Sequence, residues 1–431
     1  MEQKLVYDEN SIIALNWRDG IRENTDMYIG NTDIMGLHHL MTEIVANSID
    51  EAMAGYGKRI EISINSKTNE MAIQDEGRGL PFRRNQSGEY AIIEACTSNH
   101  AGGKFDGATG YKSSLGLHGL GLKLVNALST YCQVIVNRDD GHCDIFFDNG
   151  TTDGPEIIDR KQTKTGTTVI FKPDTAIFGN LKWDLKIICE KIQIDALLNN
   201  NIEFIINVDG KLYKKYLYTE GTKDLFKIKA EGKKLVTSPV FFKTDMPDGS
   251  LEFGLAYTDD KTEDIYSYVN GGYTPNGGTH ITGFKSAYTS LINKIAKKDG
   301  VLSDKDDNFT GDLVRRGLVL VLVLKANFRL AFAEQTKLTL NSPEARTLVS
   351  KATGQLELSK KQSKEILDKL LLEKKADDAA KRAKIAAATV SKGGKNLKAL
   401  KDLPEKLADC PDRNGELFLC EGERIALIYL A

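Results

Sequence analysis

The sequence predicts a mixed α/β (α+β) fold in two or three domains, and three observations carry that reading. Leu37, Leu40, Met41, Ile44, Val45 and Ile49 recur at helical spacing, which predicts a helix over about Met35–Ala54. Directly after it, Ile60, Ile62 and Ile64, then Met71 and Ile73, alternate as in a half-buried β-hairpin. Far downstream, the run GLVLVLVLKA at 317–326 is continuously apolar, as expected of a strand buried on both faces. A chain of 431 residues with 41% hydrophobic content is long enough to bury such cores.

The remaining elements follow in order. Residues 1–20 mix polar and apolar positions without a period and read as an arm. Gly55 and Gly57 end the first helix. Asp75-Glu-Gly-Arg-Gly-Leu-Pro81 is rich in turn residues. Residues 98–122 carry seven glycines and little periodicity. A helix is expected over about Leu120–Ser129, then strands at 132–137, 142–148 and 167–172. The texture changes around Tyr218–Thr222. A second block, 223–345, alternates strands with one clear helix near 280–297. Residues 344–389 are rich in Leu, Ala and Lys, which suggests one or two long helices, and Ser391-Lys-Gly-Gly394 ends them. Residues 396–431 form a short third piece.

Composition narrows the classes. The chain has 58 basic and 60 acidic residues, a net charge of −2, which argues against a uniformly basic nucleic-acid wrapper but leaves room for a local basic surface. With 9 prolines and 38 glycines it is neither collagen-like nor of low complexity. Cys96, Cys132, Cys143, Cys189, Cys410 and Cys420 are scattered and form no C-x-x-C pair, so they read as reduced thiols of a cytoplasmic protein. No apolar run approaches the length of a membrane span, and MEQKLVYDEN has no signal-peptide core. The last residues, LFLCEGERIALIYLA, are apolar and strand-like, an unusual texture for a free terminus.

Four local features carry candidate chemistry. His39, Glu43, Asn47 and Asp50 stand four, four and three residues apart, so a helix places them on one stripe. Apolar residues occupy most of the rest of that helix, so the stripe faces water, a ligand or a partner. Asp75-Glu-Gly77-Arg-Gly79 follows a strand; it is either an Asx-capped turn or a carboxylate placed to accept from an amino group. Gly102-Gly103-Lys104-Phe105 and Gly116-Leu-His-Gly119-Leu-Gly121 precede a helix, a generic anion site to which Lys104 could add charge. That string is neither a Rossmann fingerprint nor a Walker A loop. Thr165-Gly166-Thr167 opens a strand and alone says almost nothing.

In this order and spacing, the series Glu43-x-x-x-Asn47, Asp75-x-Gly77-x-Gly79, Gly116-x-x-Gly119-x-Gly121 and Gly166 resembles the Bergerat (GHKL) nucleotide-binding fold of gyrase-type topoisomerases, heat-shock chaperones, mismatch-repair ATPases and histidine kinases. Further motifs select one branch. RENTDMYIG at 22–30, GLHH at 36–39, AGGKF at 101–105 and LHGLGLKLVNALS at 117–129 are similar to the gyrase branch. GGTH at 277–280 and EQTK at 334–337 resemble its transducer domain, whereas LADC at 407–410 and LFLCEG at 417–422 resemble the start of its topoisomerase–primase (TOPRIM) domain. The resemblance is to the ATPase subunit of bacterial-type type IIA topoisomerases. It implies a mixed sheet with helices on one face, then a transducer domain like domain 2 of ribosomal protein S5. The implied limits are a dimerisation arm at 1–20, the ATPase domain at 21–219, the transducer with its long helices at 220–392, and a linker with an incomplete TOPRIM start at 393–431.

The resemblance also implies roles. Glu43 would be the general base for the attacking water, oriented by His39. Asn47 would bind Mg²⁺, and Asp75 would accept from the adenine amino group with Thr167 in support. Gly79 would contact the nucleotide. Lys104 and the segment Gly116, Leu117, His118, Gly119, Leu120 and Gly121 would hold the phosphates. Gln335 and Lys337 would reach the γ-phosphate, and Tyr7 of the arm would cover the partner's nucleotide. Arg78, Pro81 and Arg138 match positions where aminocoumarins bind in the family. The family often has Asp where this chain has Ala46, a change expected to alter the surroundings of the metal without removing its ligand.

The implied cofactors are ATP and Mg²⁺, and the implied action is an ATP-dependent homodimer that traps double-stranded DNA without sequence readout. A DNA-cleaving A-type subunit would be the partner. Between 351 and 410, 15 Lys/Arg stand against 9 Asp/Glu; that excess suits either DNA phosphates or a solvated helix face. Glu421 aligns with the family's TOPRIM carboxylate, but no downstream Asp-x-Asp pair is in this chain. The chain is therefore expected to hydrolyse ATP and not to cut DNA without another polypeptide carrying the rest of that domain. The alternative is a regulatory or decoy subunit that binds ATP and a topoisomerase partner without strand passage.

Overall fold

A computed structural model describes residues 16–98, 120–303, 305–334 and 338–391, with side chains to 385. The chain divides into two units, Met1–Ile366 and Leu367–Ala431.

In the first unit the described chain opens with three helices, Trp17–Glu23 (α1), Thr25–Ile29 (α2) and Ile34–Met53 (α3). A hairpin of Arg59–Asn65 (β1) and Glu70–Asp75 (β2) follows, then Ala91–Thr97 (α4) and Gly121–Ala127 (α5). Strands Ser129–Arg138 (β3), Gly141–Asp148 (β4), Glu156–Ile158 (β5) and Gly166–Pro173 (β6) come next. Helices Thr175–Phe178 (α6) and Leu185–Leu198 (α7) lead to Glu203–Val208 (β7) and Lys211–Tyr216 (β8). These strands make one sheet in the order β5-β4-β3-β6-β2-β1-β7-β8, antiparallel except for the β1–β7 pair. Alternate residues, among them Ile62, Ile73, Val134 and Phe171, point to one buried face, against which α3, α5 and α7 pack.

The α3 boundaries have local causes. The Asp33 carboxylate caps the first turn, accepting from Met35 N at 2.9 Å and Gly36 N at 3.1 Å, and these bonds hold its pKa below the usual carboxylate value. At the far end Gly57, at φ +75°, approaches Glu76 so closely that a Cβ would lie 2.5 Å from the Glu76 carbonyl oxygen. Part of the segment read as an arm is not one. Residues 17–20 belong to α1, which Asn16 caps, and Ile21 of that helix is buried in the core while Arg22 pairs with Asp174 at 2.7 Å.

Beyond residue 221, Thr222–Ala230 (α8) leads to Val240–Met246 (β9), Gly249–Tyr257 (β10), Asp264–Val269 (β11) and Gly272–Tyr273 (β12). Then come Thr279–Lys298 (α9), Gly311–Arg315 (α10), Leu318–Ala326 (β13) and Pro343–Thr353 (α11). The second sheet runs β12-β11-β13-β10-β9, with β13 at its centre, and β13 is buried at successive positions on both faces, which is why its sequence is an unbroken apolar run. The region expected to hold one or two long helices holds α11 and Lys360–Ser391 (α12), which extends into the second unit. Ser359 and Gln362 separate them by a reciprocal cap: Gln362 N donates to Ser359 Oγ at 3.3 Å, and Ser359 N to Gln362 Oε1 at 3.2 Å. Among the described residues no helix is long and apolar enough to cross a membrane.

Two kinds of buried titratable group mark these cores. Cys132 and Cys143 face the first core, where burial pushes their thiols up to about 12 and about 11. In the second, His280 is fully buried and burial lowers its pKa from 6.5 to about 4. Between those two values the unfolded chain binds the proton that the folded chain rejects. Stability therefore rises with pH across that window, and the contribution is complete above about 6.5. Urea titrations of wild type and His280→Gln should differ by about 2–3 kcal/mol more at pH 7 than at pH 4. Equal pH slopes would contradict a neutral buried imidazole.

Candidate active site

Helix α3 is buried on most of its circumference and open along one stripe. His39, Glu43, Asn47 and Glu51 lie on that stripe at successive four-residue steps, all partly exposed. Asp50, expected to close the stripe, is instead 3% exposed and lines a cavity with Asn199, Asn270 and Lys325. At about 100° per residue the helical period alone would place Asp50 nearer the centre of the stripe than Glu51, so it is packing that covers Asp50 and leaves Glu51 partly open.

His39 Nε2 stands 3.3 Å from Glu43 Oε1, with side-chain exposures of 37% and 27%. The carboxylate also lies against Gly121, the first residue of α5. A Cβ there would come 2.5 Å from Glu43 Oε2, so glycine permits this approach.

Asp75 ends β2 and is held from three sides. Its Oδ1 accepts from Gly77 N at 2.9 Å and Thr167 N at 3.1 Å, and its Oδ2 from Ser48 Oγ at 3.0 Å. Burial raises its pKa, these three donors oppose the rise, and the Glu51 charge adds to it. The arrangement depends on pairing of β2 with β6. Gly166 opens β6 at φ +154°, and a Cβ there would lie 2.1 Å from the Asp75 carbonyl oxygen. Thr167 Oγ1 accepts from Leu80 N at 3.3 Å, tying the turn after Asp75 to the same strand.

The turn carries a second ordered group. Arg78 donates through Nη2 and Nε to the two Glu51 oxygens, at 2.9 and 3.1 Å, and its guanidinium lies 4.2 Å from the Tyr56 ring centroid. Arg138 Nη1 donates to Gly79 O at 2.7 Å. Gly79 has φ +79°, and Pro81 is exposed beside it.

The structure thus brings His39, Glu43 and Gly121 together at one end of the open stripe, with Leu120 just before the helix. It brings Asp75, Gly79 and Thr167 together at the other, with Asn47 between on α3. Tyr7, Lys104, Gly116, Leu117, His118, Gly119, Gln335 and Lys337 lie outside the described residues. Three residues the sequence reading passed over belong to the site: Ser48, Glu51 and Tyr56. Only Glu51 left a signal, its four-residue spacing from Asn47.

Comparison with known proteins finds relatives for both halves of the chain. Residues 32–177 match the family described as histidine kinase-, DNA gyrase B- and HSP90-like ATPase, and residues 203–386 match DNA gyrase B. The chain is 36% identical to the B-type subunit of DNA topoisomerase 4 from Staphylococcus aureus over 98% of its own length, and it spans 65% of the length of that relative. It resembles the solved 43K ATPase domain of Thermus thermophilus gyrase B, in complex with an aminocoumarin, at 31% identity and a TM-score of 0.72, covering 86% of this chain and 98% of that one. The topoisomerase IV ATP-binding domain of Francisella tularensis gives 25% identity and a TM-score of 0.68, covering 83% of this chain and 96% of that one. With both halves matched in sequence, the chain belongs to the gyrase B and topoisomerase IV B family of ATPase subunits.

Proposed function

We propose that this chain binds and hydrolyses ATP as the dimerising gate of a type II DNA topoisomerase, passing double-stranded DNA in concert with an A-type, DNA-cleaving subunit. The observation that carries the reading is the Glu43 carboxylate, in contact with His39 and seated against the backbone of Gly121. A carboxylate so placed can hold a water in line with a terminal phosphate and take its proton. His39 orients it. Asp75 accepts from the exocyclic amino group of adenine; guanine presents a carbonyl there and would meet a second acceptor.

Asn47 suits Mg²⁺, because its amide oxygen is a hard donor on the open stripe one turn from Glu43, and magnesium commonly takes few protein ligands beside phosphates and waters. Mg²⁺ bound there would neutralise charge on the phosphates. Lys104 and the segment 116–121 hold the phosphates, Gln335 and Lys337 contact the γ-phosphate, and Tyr7 crosses to the partner subunit's nucleotide.

The test of the whole reading is strand passage. Mixed with the A-type subunit of a bacterial topoisomerase IV or gyrase and a polypeptide that supplies the rest of the TOPRIM domain, the chain should relax supercoiled DNA in an ATP-dependent manner. ATP turnover without relaxation with either partner would favour the regulatory-subunit alternative. A finer prediction concerns Gly121. The methyl of Gly121→Ala must displace Glu43, and a misplacement near 1 Å can cost about a hundredfold in rate. The expected result is kcat reduced about 10- to 100-fold with the affinity for a non-hydrolysable analogue changed far less, measured by steady-state hydrolysis beside calorimetry.

A further inference from the structure

The GGTH segment forms a docking site for a neighbouring hairpin. Residues 331–334 and 338–342 are two antiparallel limbs: Ala333 N donates to Thr339 O at 3.0 Å, and Asn341 N donates to Ala331 O at 2.8 Å. Between them in sequence stand 335–337, which include Gln335 and Lys337. The second limb lies along Asn276–Thr279. Asn276 N donates to Leu338 O at 3.2 Å, Leu340 N to Gly277 O at 3.0 Å, and Thr279 N to Leu340 O at 3.0 Å.

A side-chain clasp closes the contact. Thr279 Oγ1 donates to Ser342 O at 2.7 Å and accepts from Ser342 N at 3.1 Å. Ser342, itself 1% exposed, accepts through Oγ from Ala331 N at 2.7 Å, so Thr279 is linked to both limbs. Gly278 has φ +129°, and a Cβ there would lie 2.1 Å from Leu340 O and 2.7 Å from Leu340 N. No side chain fits between the segment and the limb.

We infer that Gly277, Gly278 and Thr279 are positioning residues: they form a socket that sets the placement of the limbs bearing Gln335 and Lys337, and through them the contact with the γ-phosphate. The inference rests on the reading of Lys337 as a γ-phosphate contact. Its structural content is that the same socket begins α9 at Thr279 and, one residue after Ser342, α11 at Pro343. Those two helices are packed together: Ser350 Oγ donates to Gly283 O at 3.2 Å, and a Cβ at Gly283 would lie 2.6 Å from Arg346 O. A displacement of the limbs therefore acts on the first turns of both helices at once.

The experiment compares wild type, Thr279→Val, Thr279→Ser, Ser342→Ala and Lys337→Ala in the full chain. The readouts are kcat and KM for ATP, and calorimetric affinities for ADP and for a non-hydrolysable ATP analogue. Thr279→Val keeps the shape and removes the clasp, so kcat should fall about 10- to 100-fold. The preference for the analogue over ADP should shrink with it while ADP affinity stays. Thr279→Ser should retain both, and Ser342→Ala, which leaves Thr279 in place and loosens the other limb, should fall between. If Lys337→Ala loses the triphosphate preference and Thr279→Val keeps it, the socket is overturned alone. If Lys337→Ala itself keeps wild-type kcat and preference, the underlying reading of Lys337 fails. Equal losses of ADP and analogue affinity in Thr279→Val and Ser342→Ala would show general destabilisation and also overturn the socket.

Discussion

Glu43→Ala is expected to lower ATP turnover by about 10²- to 10⁴-fold, the range that a positioned general base contributes, with affinity for a non-hydrolysable analogue retained. The reason for the separation is structural. The Glu43 side chain is 27% exposed and contacts His39 at 3.3 Å, so truncation opens no core cavity. Surface changes of this kind alter stability by about 0.5 kcal/mol or less, and the helix that carries Asn47 stays in place. The loss should therefore appear in kcat and not in KM. Glu43→Gln sharpens the result: it keeps the shape against Gly121 and removes the basicity, so it should be almost as inactive as the alanine variant. His39→Ala should cost less than either, because it removes an orienting contact and leaves the carboxylate. Steady-state hydrolysis of the variants beside calorimetric titration with the analogue checks all of these. Turnover of Glu43→Ala at the wild-type rate would remove Glu43 from the chemistry.

Asp75→Asn is the second large effect, and it should fall on binding. The Asp75 carboxylate has three donors aimed at it, from Gly77, Thr167 and Ser48. Replacing one oxygen by an amide nitrogen sets donor against donor, either at the two backbone N–H groups or at Ser48. The Ser48 hydroxyl can turn and accept, so the amide nitrogen settles on the Oδ2 side and meets the adenine amino group with a donor. A hydrogen bond to a charged acceptor contributes about 1.5–3 kcal/mol, so affinity for adenine nucleotides should fall about 10- to 150-fold. The preference for ATP over GTP should narrow with it. The Ser48→Ala variant should show a smaller change in the same direction, because it removes one of the donors that orient the carboxylate. Calorimetry with the analogue and with its guanine counterpart reads both quantities. An unchanged ATP-to-GTP ratio in Asp75→Asn would place base recognition elsewhere.

The parts of this site that are legible in the sequence share a property: their signal is local. A stripe on α3 follows from helical period alone, and β13 announces its central position by being apolar at every step. Asp75 and its glycines stand in one short turn. What escapes is tertiary. Thr167 is uninformative in sequence, yet its N–H holds Asp75 and its hydroxyl accepts from Leu80, because β6 pairs with β2 across more than ninety residues. Ser48 looks like a filler of the helix's buried side until β2 is laid against it. Asp50 and Glu51 differ by about a hundred degrees around the helix, and only packing against the rest of the unit shows that Asp50 is the covered carboxylate. Helix α1 is hidden for a similar reason: its seven residues are too few to show a period, and a single buried side chain, Ile21, anchors it.

The transducer region repeats the lesson with a different element. GGTH reads as a motif by resemblance, but its physical meaning lies in backbone contact with a limb sixty residues away, where Gly278 leaves room for Leu340 and no side chain could.

The central claim is that the open stripe of α3, the end of β2 with β6, and the start of α5 form an adenine-selective site for triphosphate hydrolysis. Steady-state hydrolysis of ATP and of GTP by the unmodified chain, side by side with Mg²⁺ present, tests it most directly. The predicted result is turnover of ATP with little or none of GTP. Equal turnover of the two nucleotides, or no turnover of ATP, would contradict it.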